Sequence, residues 1–215
     1  MSVIDDLLRN PHLWRARERN GSTQTCGLPT GYTALDCSLP GGGWPQHGLI
    51  EILTDRYGIG ELSLLVPALA ALCRPTASNG APHDESRDGW LAWISPPYQP
   101  YAPALAACGI DVSRVLVVRA KPSLWAMEQA LRSGACSAVL GWAAPPGLQA
   151  LRRLQLAAER SRCLAVLFRR ARDAGTASPA VLRIGLQSGH EGGLEVDILK
   201  SRGGQAVRVT LPRVH

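Results

Sequence analysis

The sequence predicts an α/β fold, a mixed and mainly parallel sheet flanked by helices with antiparallel strands at its C-terminal edge. Three observations predict it. Short apolar runs alternate with amphipathic helical segments from Leu49 to Phe168, the pattern that builds a parallel sheet. Beyond that point the period becomes two, in Val181–Leu186, Leu194–Leu199 and Ala206–Leu211, with turns at Gly192-Gly193 and Gly203-Gly204. Between Leu49 and Ser63 the chain also has the layout of a strand, a glycine-bearing loop and a helix.

Taken in order, residues 1–25 read as a partly ordered arm with one amphipathic turn around Leu7, Leu8, Leu13 and Trp14. Residues 26–215 read as one domain, since 215 residues at 46% hydrophobic composition can bury a core without disulfides or metal. The turn Leu39-Pro40-Gly41-Gly42-Gly43-Trp44-Pro45 leads into a strand at Leu49–Leu53, and a helix is expected from about Glu61 to Cys73. Residues 76–89, rich in Ser, Asn, Gly, Asp and Pro, read as a flexible surface loop.

Further strands follow at Trp90–Ile94, Val115–Val118, Ala138–Trp142 and Leu164–Phe168. Helices are expected at Ala102–Cys108, from near Pro122 to Gly134, and from Gly147 to Arg160. In the second of these Glu128 lies four residues before Arg132, the spacing of a helical ion pair; in the third Leu148, Leu151, Leu154 and Ala158 share one face. Trp90, Trp93 and Trp142 lie in strands and are expected in the core. Trp44 and Tyr57 lie in loops, where an exposed anchoring role is open to them.

The loop after the first strand carries the decisive substitution. A phosphate loop needs a first glycine for its turn, clustered N–H groups, a Lys for the outer phosphates and a Ser or Thr for magnesium. With Gly60-Glu61 in the Gly-Lys place, Thr54 takes the first-glycine place and Leu62 the magnesium-ligand place, and Gly58 completes a loop one residue too long. A carboxylate ~4 Å from a phosphate repels it by about 1–4 kcal/mol per charge pair. The expectation is a vestigial phosphate loop (Thr54, Gly58, Gly60, Glu61, Leu62) with no nucleotide and no other cofactor. Glu61 also suits the first turn of a helix, where the dipole favours an acid.

Composition excludes several classes. Six cysteines without a CxxC pair and five dispersed histidines give no metal-site spacing, and the cysteines are expected as reduced core residues. The longest apolar run, Leu62 to Cys73, is interrupted by Pro67 and falls short of the roughly 18 residues of a membrane span. Asp5 and Asp6 precede only a short apolar patch, unlike a secretory signal, so a cytoplasmic protein is expected.

Residues 1–107 hold 7 Lys/Arg against 10 Asp/Glu, whereas residues 108–215 hold 16 against 7. Arg152, Arg153, Arg160, Arg169, Arg170 and Arg172, with Lys200 and Arg202, form a basic patch suited to DNA phosphates or an acidic partner. The alternative is a set of solvated arginines in a chain with 21 Arg and 2 Lys.

Thr30-Gly31-Tyr32-Thr33-Ala34-Leu35-Asp36, the triple glycine, Gly48-Leu49-Ile50-Glu51-Ile52 and Ile198-Leu199-Lys200-Ser201-Arg202 resemble the RecA core. Gly27 to Gly31, Leu39 to Pro45 and above all Asp55-Arg56-Tyr57-Gly58-Ile59-Gly60-Glu61-Leu62 resemble the ImuA family of translesion DNA synthesis-associated proteins. The RecA likeness implies catalytic positions that are not matched here. Gly141-Trp142 stands for the magnesium-ordering Asp, Ser95-Pro96-Pro97 for the catalytic Glu, and Phe168, Arg169 and Arg170 for the phosphate-sensing Gln.

The ImuA likeness implies a non-enzymatic adaptor in SOS-induced, error-prone translesion synthesis. Its implied partners are an ImuB-like inactive Y-family protein and an error-prone C-family DNA polymerase, with RecA a further candidate, direct DNA contact open, and nucleoid association when active. Ala107 to Ile110, Glu128 to Gly134 and Ser137 to Trp142 are similar to the SulA family, which implies the alternative of a division inhibitor binding FtsZ. The chain continues past its fifth strand as ImuA proteins do, which favours the first implication.

Overall fold

A computed structural model describes residues 27–73, 89–143, 147–201, 204 and 206–212. The residue 1–25 arm, nearly all of the residue 76–89 loop, and Arg202 lie outside the described residues.

The strands are β1 (Leu49–Leu53), β2 (Trp90–Ile94), β3 (Val115–Val118), β4 (Cys136–Trp142), β5 (Leu164–Arg169), β6 (Leu182–Ser188), β7 (Leu194–Ser201) and β8 (Val207–Leu211). The helices are α1 (Thr33–Ser38), α2 (Val66–Cys73), α3 (Ala102–Ala107), α4 (Ser123–Ser133) and α5 (Leu148–Ser161). Among the described residues the strands form one sheet in the order β3-β2-β4-β5-β1-β6-β7-β8. β1 lies between β5 and β6 and is parallel to both. β7 runs antiparallel to both β6 and β8, so among the described strands it alone is reversed. The first of the three period-two strands therefore joins the two parts, parallel to β1 on one side and antiparallel to β7 on the other.

The pleat sends alternate residues to opposite faces, and the core divides accordingly. Ile50, Ile52, Trp93, Leu140, Val166 and Phe168 pack with α1, α2 and α3. Leu49, Ala92, Val139, Ala165 and Leu167 pack with α4 and α5. Glu128 is buried and joins Arg132 at 2.8 Å and Arg153 at 3.2 Å, so the helical pair also ties α4 to α5. Gly134, in the left-handed region at φ 71°, ends α4 as the sequence predicts.

The helix expected from Glu61 begins only at Val66, after a run of turns. Pro67 supplies a physical reason, since it has no N–H for the carbonyl four residues earlier. That carbonyl, Ser63 O, instead accepts from Tyr32 Oη at 3.1 Å. Gly31 packs directly on Pro67: a Cβ there would lie 2.5 Å from the Pro67 Cβ, so α1 and the start of α2 meet at a position only glycine fits.

Three further expectations change. Trp44 is completely buried, because Leu28 and Trp44 exchange backbone hydrogen bonds at 2.9 and 2.7 Å and fold the glycine turn inward. It is core, not an exposed anchor. Trp90, the first residue of β2, is 37% exposed where the β2–β4 register shifts, although Trp93 and Trp142 are buried as predicted. Cys37 and Cys108 are exposed, while Cys73 and Cys163 are buried. Burial pushes the Cys163 thiol up to about 12, which leaves it inert near neutrality.

Candidate functional site

Open α/β sheets place ligand sites beyond the carboxyl ends of their strands. Here the end of β1 meets the end of β5 and the loop Thr54–Leu62. Thr54, in the first-glycine place, is buried and donates from Oγ1 to Arg56 O at 2.8 Å, closing a tight turn. Its N–H donates to Arg169 O at 3.0 Å, and Ala171 N–H donates to Thr54 O at 3.3 Å, so the loop is stitched to the segment after β5.

Glu61 is buried and turns back into the loop. Gly58 N–H donates to both of its carboxylate oxygens at 2.9 Å, and Ile59 N–H donates to one at 3.1 Å. Glu61 is therefore not a first-turn helix acid, because α2 starts five residues later and the carboxylate points to amides that precede it. Gly58 (φ 85°) and Gly60 (φ 106°) provide the left-handed backbone that this reversal requires. Leu62, half-buried against the core, offers no metal ligand. Among the described residues no group of three or more His, Cys, Asp or Glu is placed to hold a metal.

Beside the loop, the Arg170 guanidinium lies 4.9 Å from the Tyr57 ring centroid and donates to Asp55 O at 2.7 Å. Burial raises the Tyr57 hydroxyl above its usual range; the Arg170 charge lowers it, and the Glu61 and Asp173 charges raise it. Two grooves flank the loop. One of ≈ 430 Å³ is lined by Tyr32, Gly58, Gly60, Ser63 and Leu194. The other, of ≈ 340 Å³, is lined by Thr54, Asp55, Arg56, Leu186 and Gln187.

The neighbouring strand ends carry aromatic rings. Trp142, the last residue of β4, stacks on Phe168 of β5 at 4.6 Å and 9°, and Trp93 of β2 tilts against Trp142 at 6.0 Å. Among the described residues, the last positions of β2, β4 and β5 are Ile94, Trp142 and Arg169. Ser95, after β2, is held at φ 52° with its Oγ donating to Ala120 O at 3.1 Å.

The basic residues separate into distinct roles. Arg169, 2% exposed, is not part of a surface patch: it donates to Glu51 at 3.0 Å and lies 3.5 Å from Asp173. Glu51, on the α4–α5 face of β1, also accepts from Arg183 Nε at 2.8 Å and Ser178 Oγ at 2.9 Å. Arg183 donates onward to Ala174 O and Asp173 O at 3.0 and 3.1 Å. Two arginines against Glu51 and Asp173 make the buried group formally neutral, and it pins residues 173–178 to the sheet.

Arg152, Arg153, Arg160, Arg170 and Arg172 are exposed. On α5, Arg152 and Arg160 lie about 12 Å apart along the axis. Arg153 pairs with Glu128, and Lys200 donates to Ser178 O at 2.9 Å. The Glu51 group escaped sequence reading because its members are far apart in the chain and an arginine in a strand reads as solvated.

No family model matches the chain. The cell division inhibitor SulA of Edwardsiella piscicida is 36% identical over 129 residues, covering 58% of this chain and 69% of that protein. Protein ImuA of Caulobacter vibrioides is 28% identical over 160 residues, 71% of this chain. The match spans 61% of the length of ImuA. The crystal structure of SulA from Pseudomonas aeruginosa is 26% identical and covers 56% of this chain and 97% of its own, with a TM-score of 0.42.

Proposed function

Because the chain belongs to the SulA family, as an ImuA/SulA-like protein, we propose that it is a non-enzymatic, RecA-like accessory protein of SOS-induced, error-prone translesion DNA synthesis. The observation that carries this reading is the ImuA match, which extends over 160 residues against 129 for SulA. In this reading residues 26–215 are a degenerate RecA-like domain behind an N-terminal arm. The protein acts in the cytoplasm, on the nucleoid when engaged, as adaptor for an ImuB-like Y-family protein and a C-family polymerase, with RecA a third candidate. No helix among the described residues is long and apolar enough to cross a membrane.

A non-enzymatic role is supported by the loop amides that carry Glu61 and by Trp142 and Phe168 at the strand ends. Phosphoryl transfer depends on a set of charged and polar groups acting together, and one restored lysine does not rebuild the set. Glu61→Lys is expected to show no ATP turnover in a phosphate-release assay; turnover above background would refute the reading. The surface most suited to a partner is the loop region with Tyr57 and Arg170, together with Arg152, Arg153, Arg160, Arg172 and Lys200. Should DNA be met directly, binding would weaken steeply as salt rises.

A division inhibitor acting on FtsZ is the second reading, favoured by the higher identity to SulA. Affinity purification of the tagged protein from DNA-damaged cells of its host, followed by mass spectrometry, separates the two. Recovery of the Y-family-like protein, the second polymerase or RecA is expected. Recovery of FtsZ without them would replace the adaptor reading with the inhibitor reading.

A further inference from the structure

The amides of the β1 loop already hold an anion, and it belongs to the chain. Two successive backbone N–H groups, of Gly58 and Ile59, converge on the Glu61 carboxylate at 2.9–3.1 Å. Successive N–H groups turned to one side form an anion-binding concavity. Gly58 and Gly60, both at positive φ, give the loop that curvature. The Arg170 guanidinium beside Tyr57 adds positive charge to the same locality. Glu61 is 5% exposed, so its charge is compensated inside the loop rather than by solvent.

We infer that this loop is an oxyanion site whose resident occupant is the tethered carboxylate of Glu61, standing where a phosphate would sit. An intramolecular ligand on so short a tether acts at an effective concentration in the millimolar range or above. Free phosphate is thereby excluded from the wild-type loop, and the loop keeps one conformation whether or not nucleotide is present. Deletion of the side chain unmasks a site for inorganic phosphate or for the phosphate of a nucleotide. This goes beyond the adaptor reading and does not depend on which partner is bound.

A purely structural lock of the turn is the competing account, since a three-residue reach-back from Glu61 to the Gly58 N–H closes the loop whether or not the side chain is charged. The two accounts differ in what charge contributes. Purified full-length wild type, Glu61→Gly and Glu61→Gln are to be melted in inorganic phosphate and in chloride at matched ionic strength, with calorimetric titration of phosphate into each. Glu61→Gly is expected to melt below wild type, to recover saturably with millimolar phosphate, and to show phosphate binding that wild type lacks. Equal phosphate shifts in all three proteins, the signature of general salting-out, would overturn the inference, as would no binding to Glu61→Gly. If Glu61→Gly does not fold, Glu61→Gln decides: it keeps an acceptor oxygen without the charge and is expected to melt about 2–4 °C or more below wild type. A melting temperature equal to wild type would make Glu61 an uncharged turn lock and sink the proposal.

Discussion

Glu51→Ala is expected to destabilise the fold by about 3–5 kcal/mol, the cost of leaving buried charges without their partner. The carboxylate is completely buried and receives Arg169, Arg183 and Ser178 at 2.8–3.0 Å. With it gone, two arginines face one remaining acid, Asp173, and the network turns from neutral to net positive inside the protein. Urea denaturation of the variant measures the loss. Replacing Glu51, Arg169, Arg183 and Asp173 together by apolar residues of similar volume is expected to recover much of it, because the cost lies in the orphaned charges. A quadruple variant as unstable as the single one would show that the network contributes chiefly through its geometry.

Phe168→Ala is expected to cost about 3–5 kcal/mol through cavity formation. The ring is fully buried and stacks on Trp142 at 4.6 Å. A double-mutant cycle with Trp142→Leu should show a coupling of about 0.5–1.5 kcal/mol, the usual size of an aromatic pair. Coupling near zero would mean that the two rings fill space independently and that their parallel arrangement adds nothing. Since Phe168 lies in β5, between β4 and β1, the unfolded fraction of Phe168→Ala must be measured before any loss of partner binding is ascribed to the surface.

Much of the secondary structure was legible because strands and helices here obey simple periods. β1, β2 and β3 have the bounds that their apolar runs and flanking turns indicate, and Gly134 ends α4 as its position after the last amphipathic residue predicts. What was not legible depends on partners distant in sequence. Trp44 looks like a loop residue until Leu28 pairs with it. Arg169 looks like one charge in a basic run until Glu51, 118 positions earlier, is placed beside it. The late start of α2 reflects Pro67 and the reversed Glu61 together, two local features whose joint effect no helical period reports. At the loop itself the sequence showed that an acid replaces the lysine; that this acid takes the amides for itself is a matter of geometry.

The position of β1 between β5 and β6 has a consequence for how the chain acquires its structure. Ile50 aligns with Val166 on one side and Leu182 on the other, so the middle strand of the sheet pairs only with segments made much later. During synthesis β1 waits with both edges open until β5 has emerged and with one open until β6 follows, and closing such distant pairings makes folding slow. An apolar strand exposed for that interval is the part of the nascent chain most prone to wrong association. Buried Glu51 puts a charge in the middle of that waiting strand, where it opposes edge-to-edge pairing until Arg169 and Arg183 arrive to neutralise it.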